Sequence, residues 1–186
     1  RGRIMDFVHV PVMFDEVLSS FDNDPLVYVD LTSGGGGHDA GILEKYPNVK
    51  AVLVDRDQDA VAHLKEKFAS FPNVTVVHAP FSEIDKVMFL LQIPKADIVF
   101  ADLGVSSFQF DTPHRGFSMQ KDGPMDMRMD KTSQLTALDF IKSSTEGELR
   151  NILSLYAQER EAGTVARALK KCADEGMTTT LQLADA

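Results

Sequence analysis

V-Y-V-D-L-T-S-G-G-G-G-H-D, at residues 27–39, is the stretch that decides the fold of this chain. Val27, Val29 and Leu31 supply the apolar, partly β-branched positions expected of a buried strand. Four glycines interrupt the strand, and a helix-like run follows from Ala40 to Tyr46. A strand, a glycine turn and a helix in this order are typical of the opening of a nucleotide-binding βαβ unit.

The glycine run has a physical role in such a unit. Glycine permits positive φ and lets the backbone approach a ligand closely, while the following helix presents free N–H groups. The alternative is a flexible loop that binds nothing. We favour the ligand-binding interpretation because a flexible linker rarely lies between a buried strand and a helix.

Composition sets the broad class of protein. The 186 residues fit one domain or one domain plus an appendage, and 44% hydrophobic residues are enough for a sizeable core. No window approaches the apolar length of a membrane span. Cys172 is the single cysteine, which favours a reducing compartment, so we expect a cytoplasmic protein, with a mitochondrial or other organellar location as the alternative. A net charge of −9 argues against broad, sequence-independent nucleic-acid binding but leaves room for a local basic face.

Strands and helices are predicted to alternate along the first hundred residues. This alternation predicts a parallel sheet with right-handed crossovers. The predicted strands are 26–31, 50–54, 74–77 and 97–101, and the predicted helices are 12–20, 41–46, one around residues 61–68, and 81–91.

After Leu103 the pattern changes. Residues 104–129 are predicted to form a long functional loop, in which Met125, Met127 and Met129 alternate with charged residues and indicate an extended segment. Helices are then predicted at 136–141, 145–155 and 160–173, and Thr179 or Thr180 is expected to cap a last one.

Candidate binding residues lie where the predicted strands end. Asp55 ends the second strand, Phe81 lies just beyond the third, and Asp102 ends the fourth. Open α/β sheets bind ligands at this edge, so an acid for ribose hydroxyls, an aromatic ring for adenine and a second acid predict an adenosine-containing cofactor. The alternatives are helix capping for Asp55, core packing for Phe81 and a turn role for Asp102.

Two cofactors fit these positions. The run Gly35-x-Gly37-x-x-Ala40 satisfies the loose dinucleotide fingerprint, with Asp55 near the spacing expected of the ribose-binding acid. S-adenosylmethionine has no pyrophosphate but also needs close backbone approach and a ribose-binding acid. These residues alone leave the choice open.

Longer segments carry more specific sequence. They are H-V-P-V-M at 9–13, D-L-T-S-G-G-G-G-H at 30–38, V-D-R-D at 54–57, D-L-G-V-S-S-F-Q-F-D at 102–111, R-G-F-S at 115–118 and D-G-P-M-D-M-R-M-D at 122–130. In this order they resemble the ribosomal RNA small subunit methyltransferase H family, which uses S-adenosylmethionine to methylate the exocyclic N4 amine of a cytidine in small-subunit ribosomal RNA.

The resemblance implies a fold and a cofactor site. We expect an α/β, Rossmann-like class I methyltransferase sheet, with the first four strands in a core at residues 1–112 and a helical insertion at 113–186. It also implies that no metal is needed. The implied contacts to S-adenosylmethionine are Gly36, Gly37, His38, Asp55 and Phe81, with Asp102 and Gln109 closing the site. His38 has a simpler alternative role as a helix-start residue.

The resemblance also implies a mechanism. The lone pair of the cytosine amine is delocalised, so an acceptor such as Asp102, or a backbone carbonyl in 103–107, would hold one N–H and favour a pyramidal nitrogen. Ser106 and Ser107 join Asp102 as candidate catalytic residues, with loop packing as their alternative role and that of Gln109.

The substrate base must leave its stack to reach the cofactor. We expect the 104–129 loop and the helical region to shape a pocket for it. Arg115, Lys121 and Arg128 are candidate phosphate contacts, and the alternative for each is a solvated or locally paired charge.

Two other functions stay open from the sequence: a nicotinamide-dependent oxidoreductase, and a non-catalytic RNA-binding or assembly protein. A sheet of the implied type has seven strands, whereas four are predicted before the helical region. We therefore expect that the chain is a fragment with very low methylation on its own. We further expect that the exposed edge of the fourth strand can pair with another chain, giving a homodimer or a swapped assembly.

Overall fold

The computed structural model describes residues 11–21 and 24–185, so the predicted motif residues His9 and Val10 lie outside the described part. Four parallel strands form one sheet: β1 Val27–Asp30, β2 Lys50–Asp55, β3 Val74–His78 and β4 Ile98–Phe100. Their order across the sheet is β3-β2-β1-β4. The predicted parallel sheet is confirmed, and the carboxyl ends of all four strands lie at one edge.

The first unit has four helices among its described residues. They are α1 Phe14–Ser19, α2 Gly37–Lys45, α3 Gln58–Lys67 and α4 Ile84–Leu90, and a 3-10 turn at Phe81–Glu83 precedes α4. Helix α1 precedes β1, and α2, α3 and α4 cross over between successive strands. Asp57 caps α3, since its side chain accepts a hydrogen bond from the Asp59 N–H. Each predicted helix of this region is therefore present, with bounds shifted by a few residues.

The core lies on both faces of the sheet because successive strand residues point to opposite sides. Tyr28 and Leu53 pack with Ile42 of α2 and Leu64 of α3 on one face. On the other face Val29, Val52 and Val54 pack with residues of α4, including Val87. β1 and β2 are buried on both sides, which explains their nearly continuous apolar sequence.

Strand β4 pairs with β1 along one side. Among the described residues no strand pairs with its other side, and Val99 is 57% exposed. An unpaired edge of this kind presents free backbone N–H and C=O groups. The predicted homodimer through this edge stays a prediction.

The chain divides into two compact units, residues 1–104 and 105–186. The expected boundary lies after residue 112, whereas the observed boundary lies after residue 104. The residues between the two boundaries contain one short helix. That helix is α5 Ser107–Asp111, which contacts the following 3-10 turn Pro113–Arg115 and, through Asp111, receives a hydrogen bond from Lys121. These local contacts group residues 105–112 with the second unit.

Four more helices follow in the second unit: α6 Ala137–Ser143, α7 Glu146–Ala157, α8 Ala162–Asp174 and α9 Thr180–Ala184. Their core contains Ile141, Leu149, Ala166 and Cys172. Thr179 caps α9, as one of the two predicted alternatives. None of the helices in the described residues is both long and apolar enough to cross a membrane.

The predicted extended segment at Met125 to Met129 is only partly observed. It is not helical, and Pro124 forms an antiparallel bridge with Thr179. Met127, however, has φ 57° and lies in the left-handed region, which interrupts an extended run. As predicted, the segment is therefore not a helix, but its extended conformation is interrupted at Met127.

Candidate cofactor-binding site

The glycine turn between β1 and α2 is shaped by two left-handed residues. Gly34 has φ 52° and Gly36 has φ 67°, which side chains other than hydrogen rarely tolerate. A Cβ on Gly36 would lie 2.7 Å from the Phe68 ring, and one on Gly37 would collide with Pro11. The protein's own packing thus requires glycine at positions 36 and 37. The predicted contacts of Gly36 and Gly37 with a cofactor stay predictions.

Gly35 differs from its neighbours. A Cβ at this position would meet no atom within 4 Å, and the residue is exposed. The packing does not require glycine here, so the open side of the turn at Gly35 is where a ligand can approach the backbone.

Lys67 of α3 fixes this turn and was not found from the sequence. Its ammonium donates to the carbonyl oxygens of Gly35 and Gly36, both at 2.8 Å. Burial lowers the pKa of Lys67, while the nearby carboxyl of Asp39 acts in the opposite direction. A lysine in the last turn of a helix gives no sequence signal for such a role, because the contact joins segments about thirty residues apart.

Asp55 lies at the end of β2 beside the same turn, as predicted. Its Oδ2 accepts the Gly34 N–H at 2.8 Å and its Oδ1 accepts the Asp57 N–H at 2.8 Å. Burial raises the pKa of Asp55, and the two amide donors oppose that effect. Because Asp57 caps α3, the capping alternative does not describe Asp55. Each carboxylate oxygen can accept a further hydrogen bond from a ligand hydroxyl.

Asp102 follows β4 at the same edge. Its backbone N–H donates to the Thr32 hydroxyl at 2.7 Å, and the residue is exposed. Phe81 opens the 3-10 turn after β3 and is 46% exposed, which does not support the core alternative. Three predicted site residues therefore lie at or just beyond the carboxyl ends of parallel strands: Asp55, Phe81 and Asp102. Phe81 and Asp102 are exposed, and the Asp55 carboxylate can accept further hydrogen bonds.

His38 lies in the first turn of α2 and is 8% exposed. Its Nε2 is 3.1 Å from the Val12 carbonyl oxygen, and its ring is 5.0 Å from the Phe100 ring centre. The structure gives His38 a packing role at the start of the helix. Its contact with a cofactor stays a prediction.

A pair of buried acids beneath the turn was missed by the sequence analysis. Asp30 ends β1 and Asp39 lies in α2, and the Tyr28 hydroxyl is 3.2 Å from Oδ2 of Asp30 and 3.0 Å from Oδ1 of Asp39. Burial raises the pKa of Asp30 to about 6 and raises that of Asp39 well above its ordinary value. The available signal was two acids flanking the glycine run, next to a strand that is otherwise apolar.

Ser106 and Gln109 bond to each other in the second unit. The Ser106 hydroxyl accepts the Gln109 N–H at 3.2 Å, and Gln109 Oε1 accepts the Ser106 N–H at 3.1 Å, which together cap α5. Gln109 is 4% exposed, and Ser107 is the first residue of the helix. The structure thus shows a capping role for Ser106 and Gln109, and the catalytic and cofactor roles of all three residues stay predictions.

The three candidate phosphate contacts all have partners inside the second unit. Arg115 is 2% exposed and donates to the carbonyl oxygens of Arg128 and Met129 at 3.0 and 2.9 Å. Arg128 binds both carboxylate oxygens of Asp126, at 2.8 and 2.7 Å. The Lys121 ammonium lies 3.1 Å from Asp111.

Locally paired charge, the alternative weighed for these residues, describes Arg115 and Arg128 well. Lys121 keeps a side chain that is 49% exposed. Binding of RNA by the three residues stays a prediction.

Two glycines lock the R-G-F-S and D-G-P-M segments together. A Cβ on Gly116 would collide with the Pro124 carbonyl oxygen, and one on Gly123 would collide with the Pro113 carbonyl oxygen. The Met127 N–H also donates to the Arg115 carbonyl at 3.0 Å. These segments, highly specific in sequence, therefore build one another's structure.

A parallel sheet with a glycine turn after its first strand and an acid at the end of its second is a Rossmann-like α/β fold. The sequence pattern of the MraW methylase family matches residues 6–186, and the chain belongs to that family.

Curated relatives agree with this assignment. The chain is similar to the protein named ribosomal RNA small subunit methyltransferase H of Caldicellulosiruptor saccharolyticus, with 44% identity over 96% of this chain and 59% of that protein. The proteins of the same name from Sorangium cellulosum and Carboxydothermus hydrogenoformans are 43% and 42% identical, over 94% and 97% of this chain and 56% and 59% of theirs. The chain thus spans less than two thirds of the length of these relatives.

Proposed function

We propose that this chain is the cofactor-binding part of an S-adenosylmethionine-dependent methyltransferase that acts on the N4 amine of a cytidine in small-subunit ribosomal RNA. The observation that carries the proposal is the Asp55 carboxylate held by the Gly34 N–H beside the open position at Gly35. Membership of a methylase family favours S-adenosylmethionine over a dinucleotide. The names of the relatives support ribosomal RNA as the substrate.

The residues present fit this cofactor. Gly35 leaves open space next to the backbone, where a side chain would otherwise stand. Asp55 would hold the ribose hydroxyls, since its two oxygens have acceptor capacity beyond the amides of Gly34 and Asp57. The half-exposed ring of Phe81 would lie against the adenine.

Bound S-adenosylmethionine supplies an electrophilic methyl group. The part of this chain is to orient the amine and to accept its proton. The Asp102 carboxylate accepts a hydrogen bond from one amine N–H, which draws the nitrogen away from the planar, conjugated geometry. Asp102 or water then takes the proton that the methylated nitrogen loses, as a general base does.

Recognition of the RNA falls to the second unit in this proposal. Lys121 is the best-placed phosphate contact of the three predicted cations, because its exposed ammonium is free to exchange its carboxylate partner for a phosphate. Ribosomal RNA, or a ribosomal subunit, is the proposed partner, and a cytoplasmic location stays a prediction.

Binding is the first experiment. Calorimetry with the 186-residue chain is expected to show binding of S-adenosylmethionine and no comparable binding of NAD. A clear preference for NAD would overturn the proposal in favour of an oxidoreductase.

Methyl transfer is the second. Labelled S-adenosylmethionine is incubated with small-subunit RNA and a protein that contains this chain and the remaining length found in the relatives, and the labelled nucleotide is identified by nuclease digestion and mass spectrometry. N4-methylcytidine is the expected product. Binding of RNA without transfer of label, by a protein that contains the remaining length found in the relatives, would instead support a non-catalytic assembly factor.

A further inference from the structure

A path of hydrogen bonds runs beside the glycine turn from Asp39 in α2 to Asp102, just beyond the end of β4. The Asp39 carboxyl meets the Tyr28 hydroxyl at 3.0 Å, and this hydroxyl meets Asp30 at 3.2 Å. Asp30 Oδ1 accepts the Thr32 N–H at 2.7 Å and lies 3.4 Å from the Thr32 hydroxyl. The same hydroxyl accepts the backbone N–H of Asp102 at 2.7 Å.

The inner end of the path is sealed from water. Tyr28 and Asp39 are fully buried, and Asp30 is 2% exposed. Buried polar groups of this kind hold a single arrangement only when their donors and acceptors match. The path therefore has a direction that can be worked out from the number of protons available.

The Tyr28 hydroxyl has one proton for two carboxyl partners. If Asp39 carries a proton and donates it to the tyrosine oxygen, Tyr28 can donate to an ionised Asp30. Asp30 then accepts the N–H and the hydroxyl proton of Thr32, which leaves a lone pair of the Thr32 oxygen for the Asp102 N–H. Burial, which favours the neutral form of Asp39, supports this arrangement.

The last bond of the path holds a segment that little else holds. The Leu31 N–H donates to the Phe100 carbonyl at 2.9 Å. Within the described residues, residues 101–105 make no backbone–backbone hydrogen bond. Asp102 stands two residues beyond the end of β4. Its backbone is therefore anchored by the Thr32 hydroxyl.

We propose that Thr32 is a positioning residue that sets the backbone of Asp102 at the carboxyl edge of the sheet, and that the buried path through Asp30, Tyr28 and Asp39 keeps its hydroxyl in the accepting orientation. Thr32 does not touch the reacting atoms. The part of the proposal that concerns ligands rests on the proposed function, because it takes Asp102 to contact the cofactor or the amine.

Amide hydrogen exchange tests the anchoring without any ligand. In Thr32→Val the Asp102 amide is expected to exchange about tenfold faster than in the wild-type chain, whereas Thr32→Ser keeps the hydroxyl and stays within about twofold. The Leu31 amide, which bonds Phe100, is the internal reference and should not change. Thr75→Val in β3 is the matched control for loss of a threonine hydroxyl in the same sheet.

Two results would overturn the anchoring. One is unchanged exchange at Asp102 in Thr32→Val. The other is equal acceleration at Leu31 and Asp102, which would show that Thr32 supports the pairing of β1 with β4 in general. Should Thr32→Val fail to fold, Thr32→Ala and Thr32→Ser are compared in the same way.

Affinity for S-adenosylmethionine tests the consequence. Thr32→Val is expected to weaken binding about fivefold, with recovery in Thr32→Ser, and to have no further effect in an Asp102→Ala background. Additive effects of the two substitutions would contradict positioning through Asp102. If the wild-type chain does not bind S-adenosylmethionine, the proposed function fails, and the exchange data still decide whether Thr32 anchors Asp102.

Discussion

The glycine turn of the first unit, with the acids at the neighbouring strand ends, and the loop at residues 113–130 of the second both carry specific sequence, yet they use their polar groups differently. Beside the turn, Asp55 accepts hydrogen bonds from two amides and keeps acceptor capacity, and Asp102 donates its backbone N–H to Thr32 while its side chain is exposed. In the loop, Arg115 and Arg128 direct their guanidinium groups to carbonyls and to Asp126 within the loop itself.

The difference shows that specific sequence has two physical origins. A motif can be specific because it binds something, or because it must fold a long loop that has little regular structure of its own. Gly116 and Gly123, each in close contact with backbone of the other segment, are examples of the second kind. Substitutions of Asp55 and Asp102 are therefore expected to change function, and those of Arg115, Gly116 and Gly123 to change stability.

The largest expected effect is that of Asp102→Ala. We expect methyl transfer to fall about a hundredfold, as for loss of one positioned proton acceptor, while RNA affinity changes little. Single-turnover transfer to bound RNA is the measurement, in a protein that contains this chain and is active. Loss of RNA affinity with intact transfer would remove Asp102 from the chemistry and would weaken the contrast between the two regions.

Arg115→Met tests the loop. The variant leaves the carbonyls of Arg128 and Met129 without their buried donor, so the free energy of unfolding of the second unit should fall by about 2–3 kcal/mol. Denaturation followed by circular dichroism measures this loss. Arg160→Met, at an exposed arginine of the same unit, is the matched control and should be close to neutral. A stable Arg115→Met variant with strongly reduced RNA affinity would show that Arg115 serves RNA after all.

Asp55→Ala separates ligand binding from capping. We expect affinity for S-adenosylmethionine to fall by about 1–3 kcal/mol, because the ribose hydroxyls lose their acceptor and the Gly34 N–H loses its partner. Asp57→Ala removes the cap of α3 and is expected to cost about 1 kcal/mol of stability with little change in affinity. Calorimetry on both variants gives the comparison, and equal affinities for Asp55→Ala and wild type would contradict the ribose role.

The buried acids predict how stability depends on pH. The pKa of Asp30 is raised to about 6 and that of Asp39 is raised well above its ordinary value, so the folded chain holds protons that the unfolded chain has lost above about pH 4. Since the unfolded state then binds fewer protons, this contribution to stability falls as the pH rises through 6.

Asp39→Asn is the matching variant, because its amide can donate to Tyr28 as a protonated carboxyl does. It should be more stable than wild type by about 1 kcal/mol or more at pH 8, and the difference should shrink toward pH 5. Comparison at each pH removes the contributions of groups that do not interact with Asp39. A difference that does not grow with pH would contradict the buried proton.

The sheet could be predicted from sequence because its signals are local. β1 and β2 are short apolar runs, and α3 and α4 carry apolar residues at helical spacing, among them Leu64 and Val87, which are buried in the core. Asp55 was placed correctly because the end of a parallel strand defines its position. These inferences need only the order of the elements.

The roles of Lys67, Tyr28 and Arg115 could not be predicted, because each depends on contacts between distant segments. Lys67 binds a turn about thirty residues earlier in the chain, and Arg115 becomes buried only when the loop folds over it. Nothing in a charged residue's immediate neighbours tells whether its hydrogen bonds will be made with the protein or with a ligand. For this reason the sequence could not decide between phosphate binding and local pairing for Arg115 and Arg128.

Lys121→Ala carries the smallest expected effect and decides whether the loop has any outward role. Lys121 holds an exposed contact with Asp111, and such surface pairs contribute little to stability, so the free energy of unfolding should stay within about 0.5 kcal/mol. If the ammonium moves to a phosphate when RNA binds, the affinity of Lys121→Ala for RNA should fall about threefold, and the slope of log affinity against log salt should decrease in magnitude by about one.

Filter binding at several salt concentrations measures both quantities, and Lys121→Arg, which keeps the charge, should retain most of the affinity. If Lys121→Ala binds RNA with the wild-type affinity and salt slope, Lys121 makes no phosphate contact. All three predicted cations would then serve the structure of the loop and not the binding of RNA.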